Sequence, residues 1–130
     1  MANADARREP PVVLVVEDEP LVRMIMVDAL ADAGFEVIQA SDAHEALRLF
    51  EDKPEVAIVL TDIDMPGGLD GLELRDRLQA RAPHVPVVVT SGRGKAGRDR
   101  TVETRFLSKP FTVDELVTVI VSCLPADDDA

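Results

Sequence analysis

Residues 12–18 read Val-Val-Leu-Val-Val-Glu-Asp, five apolar residues of which four are β-branched, followed at once by two carboxylates. A run this short and unbroken predicts a strand over Val12–Val16 that is buried on both faces, the habit of a parallel sheet. Similar runs recur at Val56–Leu60 and Val85–Val89, and weaker ones at Glu36–Ala40 and Arg105–Leu107, so five strands are expected. Helical stretches lie between them. Glu19–Ala33 carries Pro20 in its first turn, apolar Leu21, Met24, Ile25, Ala29 and Leu30 at helical spacing, and Gly34 as a stop. Ser41 and Asp42 open a second helix with the stripe Ala46, Leu47 and Phe50, and Pro54 follows it. A third runs from about Leu72 to Arg81, its Arg75, Asp76, Arg77 and Arg81 reading as a solvated face. The last starts at a Thr112 and Glu115 capping box and buries Leu116, Val119, Ile120 and Cys123 before Pro125. Alternation of this kind predicts a βα repeat with right-handed crossovers and helices on both sheet faces.

The 130 residues leave room for one domain, and 46% hydrophobic with 30% charged residues predicts a chain that builds a core and folds alone. Residues 1–11 are expected to form a flexible extension, 12–124 the domain, and 125–130 an acidic, solvated tail. The net charge of −11 opposes phosphate backbones and anionic lipid, and neither Trp nor Tyr is present to stack on bases, so no nucleic acid or membrane partner is expected. The single Cys123 excludes an internal disulfide or CxxC site and points, with the lack of a signal-like or long apolar segment, to the cytoplasm. His44 and His84 have no second ligand or base at a useful spacing and read as surface residues.

In such folds the ligand site lies outside the carboxyl ends of the strands. The residues just past four of the strands are Glu17 and Asp18, Asp62, Thr90 with Ser91, and Lys109. Carboxylates gathered at one edge repel each other unless a hard, oxygen-preferring dication screens them, and Mg²⁺ suits that task while leaving positions for phosphate oxygens. A lysine opposite completes a phosphoryl-transfer site. With no Ser–His pair, P-loop or Cys–His cluster, the nucleophile falls to a carboxylate, and Asp62 stands between cation and lysine.

Glu17-Asp18, the run Leu60-Thr-Asp62-Ile-Asp-Met65-Pro66, Thr90-Ser91 and Lys109-Pro110-Phe111 together resemble the receiver domain of bacterial response regulators, over about Val12 to Leu124. The resemblance implies a flavodoxin-like, doubly wound α/β fold, (βα)5, with a five-stranded parallel sheet of order 2-1-3-4-5, the order of a chemotaxis regulator of the same family. It implies Asp62 as phosphoacceptor, Asp18 and Asp62 as side-chain Mg²⁺ ligands, Asp64 as a ligand through its backbone carbonyl, and Glu17 acting through water. It further implies Thr90 as a switch hydroxyl, Phe106 as an aromatic that swings inward with it, Lys109 as the phosphoryl-pairing cation, and a cis peptide at Lys109–Pro110. The function implied is acceptance of a phosphoryl group from a phosphohistidine of a sensor kinase or phosphotransfer protein, with no enzymatic turnover beyond its own phosphorylation and slow dephosphorylation. Output would pass to another protein through the face around residues 93–124.

Departures from the family pattern accompany the matches. Glu17 stands where an aspartate is common, and Gly67-Gly-Leu-Asp70 makes the following loop longer by one residue, which suggests a bulged or more accessible loop. The interval from Thr90 to Lys109 is short, and Gly92, Gly94 and Gly97 disfavour helix there, so the fourth of the family's five helices is expected to be short or disordered. That segment carries Arg93, Lys95, Arg98, Arg100 and Arg105 against Asp99 and Glu103, a local charge of +3 that suits either solvation or an acidic partner. Two other readings stay open: a haloacid-dehalogenase-like phosphatase, from Asp62-Ile-Asp64-Met, and a receiver-like scaffold that takes no phosphate.

Overall fold

The computed structural model describes residues 10–53, 55–65, 67–92 and 104–124. The elements run β1 (Val12–Val16), α1 (Pro20–Asp32), β2 (Glu36–Ala40), α2 (Ala43–Asp52), β3 (Val56–Asp62), α3 (Gly71–Arg81), β4 (Val87–Ser91), β5 (Thr104–Ser108) and α4 (Val113–Ser122). All strands pair in parallel, in the order β2-β1-β3-β4-β5, as expected for the doubly wound α/β fold. The expectation of a short or disordered helix after β4, and the basic residues Arg93, Lys95, Arg98 and Arg100, lie outside the described residues, as do the two chain ends.

Strand alternation sorts the core into two layers. Val12, Leu14, Val16, Val59, Val87 and Val89 face α2 and α3, where Ala46, Phe50, Leu74 and Leu78 are buried. Val13, Val15, Ile58, Leu60 and Val88 face the other way, against Met26 and Leu30 of α1 and Leu116 and Ile120 of α4. β1 and β3 lie in the middle and are covered on both sides, which is why their sequences are unbroken apolar runs.

Strand boundaries differ from the sequence reading in β3, β4 and β5, the last running Thr104–Ser108 rather than Arg105–Leu107. β3 runs two residues past Leu60, because Thr61 pairs with Val16 and Asp62 with Thr90 in the ladder, so polarity of the side chain does not end the strand. β4 starts at Val87 rather than Val85: Val85 donates its amide to Ala82 in a turn, and Pro86, without an N–H, supplies only its carbonyl to Val59.

The α1 stripe is a correction. Leu21, Met24 and Ile25 are 69%, 52% and 57% exposed, while Met26 and Leu30 are buried and Val22, Val27 and Ala29 pack beside them. The helix is apolar on most of its circumference, so periodicity alone does not choose a face. Arg75 is a second correction: it is buried, on the face made by positions 71, 74, 75 and 78, and its guanidinium pairs with Asp76 at 2.6 Å. Cys123 sits half-buried at the margin of the α1/α4 layer, its thiol pushed above the ordinary value by burial, against the opposing pull of Arg105 and Ser122.

Helix starts follow the expected chemistry. Asp42 caps α2 by accepting from the Glu45 amide, and Thr112 with Glu115 forms the capping box of α4. An unanticipated box, Asp70 with Glu73, starts α3 one residue earlier than Leu72, at Gly71. A Cβ at Gly71 would stand 2.2 Å from the Asp62 carbonyl oxygen and 2.8 Å from the Ile63 Cα, both immobile backbone. Gly71→Ala is therefore expected to destabilise the fold by about 1–3 kcal/mol, the usual cost of overpacking. Urea denaturation measures it, and a variant as stable as wild type would refute the close approach.

Candidate functional site

The carboxyl ends of β1, β3, β4 and β5 bring the expected residues to one edge. Carboxylate oxygens of Glu17, Asp18 and Asp62 all lie within 4.8 Å of one another. Lys109 Nζ donates to Asp62 Oδ2 at 3.0 Å, reaching over from the turn after β5, where the Lys109–Pro110 peptide is cis. The Lys109 amide donates to the Ser91 carbonyl at 2.8 Å, tying that turn to the end of β4. Asp64 is exposed and its amide makes a long contact, 3.3 Å, to Asp62 Oδ1. Thr90 is fully buried, and its hydroxyl has no hydrogen-bond partner among the described residues. Phe106 is half-buried against the α2/α3 layer, opposite Val89 and one register step from Thr90.

The charges do not balance. Three carboxylates face one ammonium, leaving two negative charges in excess if all ionise. Glu17 bears the strain: it is 1% exposed, its Oε2 accepts from the Glu19 amide, and its Oε1 finds no partner among the described residues. Burial pushes its carboxyl above the usual carboxylate range, and repulsion from Asp62 and Asp18 adds to the shift, against the Glu19 amide and Lys109. For Lys109, burial acts to lower the ammonium's value, but the hydrogen bond and charge of Asp62, with Glu17 and Asp64 behind, hold it above the ordinary lysine value. The site is thus built around an excess of negative charge with an unpaired buried oxygen in it. A hard dication with oxygen preference fits that donor set.

Two supporting residues were invisible in the sequence reading. Arg23, one turn into α1, donates through Nη1 to the Glu17 carbonyl at 2.7 Å and through Nε to Gln39 Oε1 at 3.1 Å, so it braces the acidic turn against β2. Gly71, discussed above, lets α3 begin against the Asp62 backbone. No motif marks Arg23, whereas the Asp70 and Glu73 spacing would have placed the start of α3. His84 is exposed as expected, and His44 is exposed but bonded to the Gly67 carbonyl.

The family profile described as "Response regulator receiver domain" matches residues 13–121. The chain belongs to the response regulator receiver family. The receiver is 34% identical over 119 residues to a putative NtrX-like response regulator of Rickettsia conorii, covering 83% of this chain and 24% of that protein. It is 36% identical over 121 residues to the sensor kinase CckA of Brucella abortus, covering 89% of this chain and 13% of the kinase. The chain thus spans a quarter or less of the length of these relatives. Among solved structures, the receiver domain of NtrX from Brucella abortus superposes with a TM-score of 0.77 at 36% identity, covering 86% of this chain and 97% of that one. The receiver is therefore a phosphoacceptor-type signalling domain of two-component systems, a family in which Mg²⁺ at an acidic cluster is typical. Among its described residues no helix is long and apolar enough to cross a membrane.

The raised Glu17 carboxyl gives the receiver a pH signature. Below the unfolded-state value of about 4.3 both states hold the proton and no charge is buried. As pH climbs through the higher folded value, the charge must be held in a buried site, and stability is lost. In Mg²⁺-free buffer Glu17→Gln should thus melt at a higher temperature than wild type near about pH 7, with the gap closing towards about pH 4. A gap that is constant across that range would show that Glu17 ionisation is not its cause.

Proposed function

We propose that Asp62 is the residue that takes the phosphoryl group, from a phosphohistidine of a sensor kinase or phosphotransfer protein. One Asp62 carboxylate oxygen attacks phosphorus, the P–N bond to the donor imidazole breaks, and an aspartyl phosphate forms. The observation that carries this reading is the Lys109 ammonium, 3.0 Å from Asp62 Oδ2, beside the carboxylate cluster that Asp62 forms with Glu17 and Asp18. In that place Lys109 would pair with a phosphoryl oxygen as charge develops on it. Asp18 and Asp62 by their side chains, Asp64 by its carbonyl and Glu17 through water would hold Mg²⁺. Bound there, Mg²⁺ supplies charge neutralisation for the incoming phosphate oxygens.

After transfer, the buried Thr90 hydroxyl has a partner to turn toward, and Phe106 moves inward with it. The face around residues 93–124 then presents a changed surface to a downstream protein. Residues 12–124 act as one unit in this account, catalysing only their own phosphorylation and its slow reversal, in the cytoplasm. The exposed Leu21, Met24 and Ile25 on α1, beside a cleft of about 330 Å³ that Lys109 and Phe111 help to line, support docking of a protein donor on that side.

Incubation with Mg²⁺ and acetyl phosphate, followed by intact mass, tests the proposal. Wild type is expected to carry one phosphoryl adduct, Asp62→Asn none, and Lys109→Ala to form it at least about tenfold more slowly. Multiple turnover of donor would instead favour the phosphatase reading, and an unmodified wild type the scaffold.

A further inference from the structure

We propose that His44 is a positioning residue for the loop that follows Asp62; this rests on Asp62 being the phosphoacceptor. His44 stands exposed in the first turn of α2, and its Nε2 lies 2.9 Å from the carbonyl oxygen of Gly67, 23 positions on. A carbonyl can only accept, so Nε2 carries the hydrogen.

The loop between β3 and α3 needs such a tie at its tip. Its ends are clamped, since the Gly71 amide donates to the Ile63 carbonyl at 2.9 Å. Its second half is anchored by Leu69, which is buried in the α2/α3 layer. At the tip, Gly67 and Gly68 hold φ of +96° and +90°, are exposed, and offer no side chain that could anchor them. The first half carries Asp64, exposed to solvent with its amide 3.3 Å from Asp62 Oδ1, and Met65, packed in part against the α2/α3 layer. His44 ties the end of this half to α2, and the extra length of the loop makes that tie matter. Through it, the ring sets where the Asp64 backbone stands relative to Asp62, without touching either.

The test compares wild type, His44→Ala and His44→Gln, since a glutamine amide can donate in the imidazole's place. Alanine is expected to weaken Mg²⁺ binding, measured by calorimetry, roughly three- to tenfold, the worth of one hydrogen bond. It should also quicken hydrogen exchange at the Asp64, Gly67 and Gly68 amides, leave the Mg²⁺-free melting temperature where it was, and be rescued by glutamine in both readouts. Acetyl phosphate labelling of the same three proteins separates the two claims. If wild type forms the adduct and alanine binds Mg²⁺ as tightly as wild type, the role of His44 is overturned. Equal loss in alanine and glutamine also overturns it, by making any change at the helix surface sufficient. A wild type that forms no adduct overturns the reading of Asp62, and this inference with it.

Discussion

Repulsion among carboxylates is the constraint around which this molecule is arranged. Glu17, Asp18 and Asp62 bring oxygens within 4.8 Å of one another, and two of the three residues are almost wholly removed from water. Like charges so placed cost several kcal/mol at the low effective dielectric of a protein edge, and a single ammonium offsets only part of that. A cluster of this sort survives only if the scaffold beneath it is rigid enough to prevent the carboxylates from swinging apart. The scaffold here is the β1–β3 pair, buried on both faces, with side chains alternating into two apolar layers.

Rigidity reaches the site through backbone contacts. Asp62 is held in register with Thr90, the Ile63 amide continues the ladder to the Thr90 carbonyl, and the Lys109 amide extends it to Ser91. Arg23 fixes the Glu17 carbonyl from the side, and the absent Cβ of Gly71 allows α3 to start directly against the Asp62 backbone. Each of these ties fixes the main chain and leaves the functional side chains free to change partners. That division suits a site whose charge changes when a phosphoryl group arrives.

Much of this was legible in the residues. The apolar runs locate the sheet, and the doubly wound rule places Glu17, Asp18, Asp62, Thr90 and Lys109 at one edge. Strand ends were less legible because pairing carried Thr61 and Asp62 into the ladder, while the proline at position 86 delayed β4 to Val87. The buried face of α1 could not be read, since Leu21, Met24 and Ile25 are as apolar as the residues that do face the core. Arg75 misled for the opposite reason: its type says solvent, but its position shares a face with Leu74 and Leu78. The brace from Arg23 to Glu17 and Gln39 and the tie from His44 to Gly67 join different elements, and no local pattern encodes them.

The distribution of unsatisfied groups separates a functional edge from a merely stable one. Of four buried side-chain atoms without a partner among the described residues, three, on Glu17, Thr90 and Ser91, lie at the carboxyl ends of β1 and β4. Each such group costs about 1–3 kcal/mol, more when charged. An apolar residue of similar volume at any of these positions would remove the cost without disturbing the layers beneath. Selection for stability alone would not leave such groups at the same sheet edge as an ion pair. Their needs are complementary: a carboxyl oxygen without a donor on Glu17, and on Thr90 a hydroxyl able to donate, while Ser91, the next residue of the strand, points to the opposite face. A dication would answer the first and a phosphoryl oxygen the second, so the edge is complementary to the two together rather than to either alone.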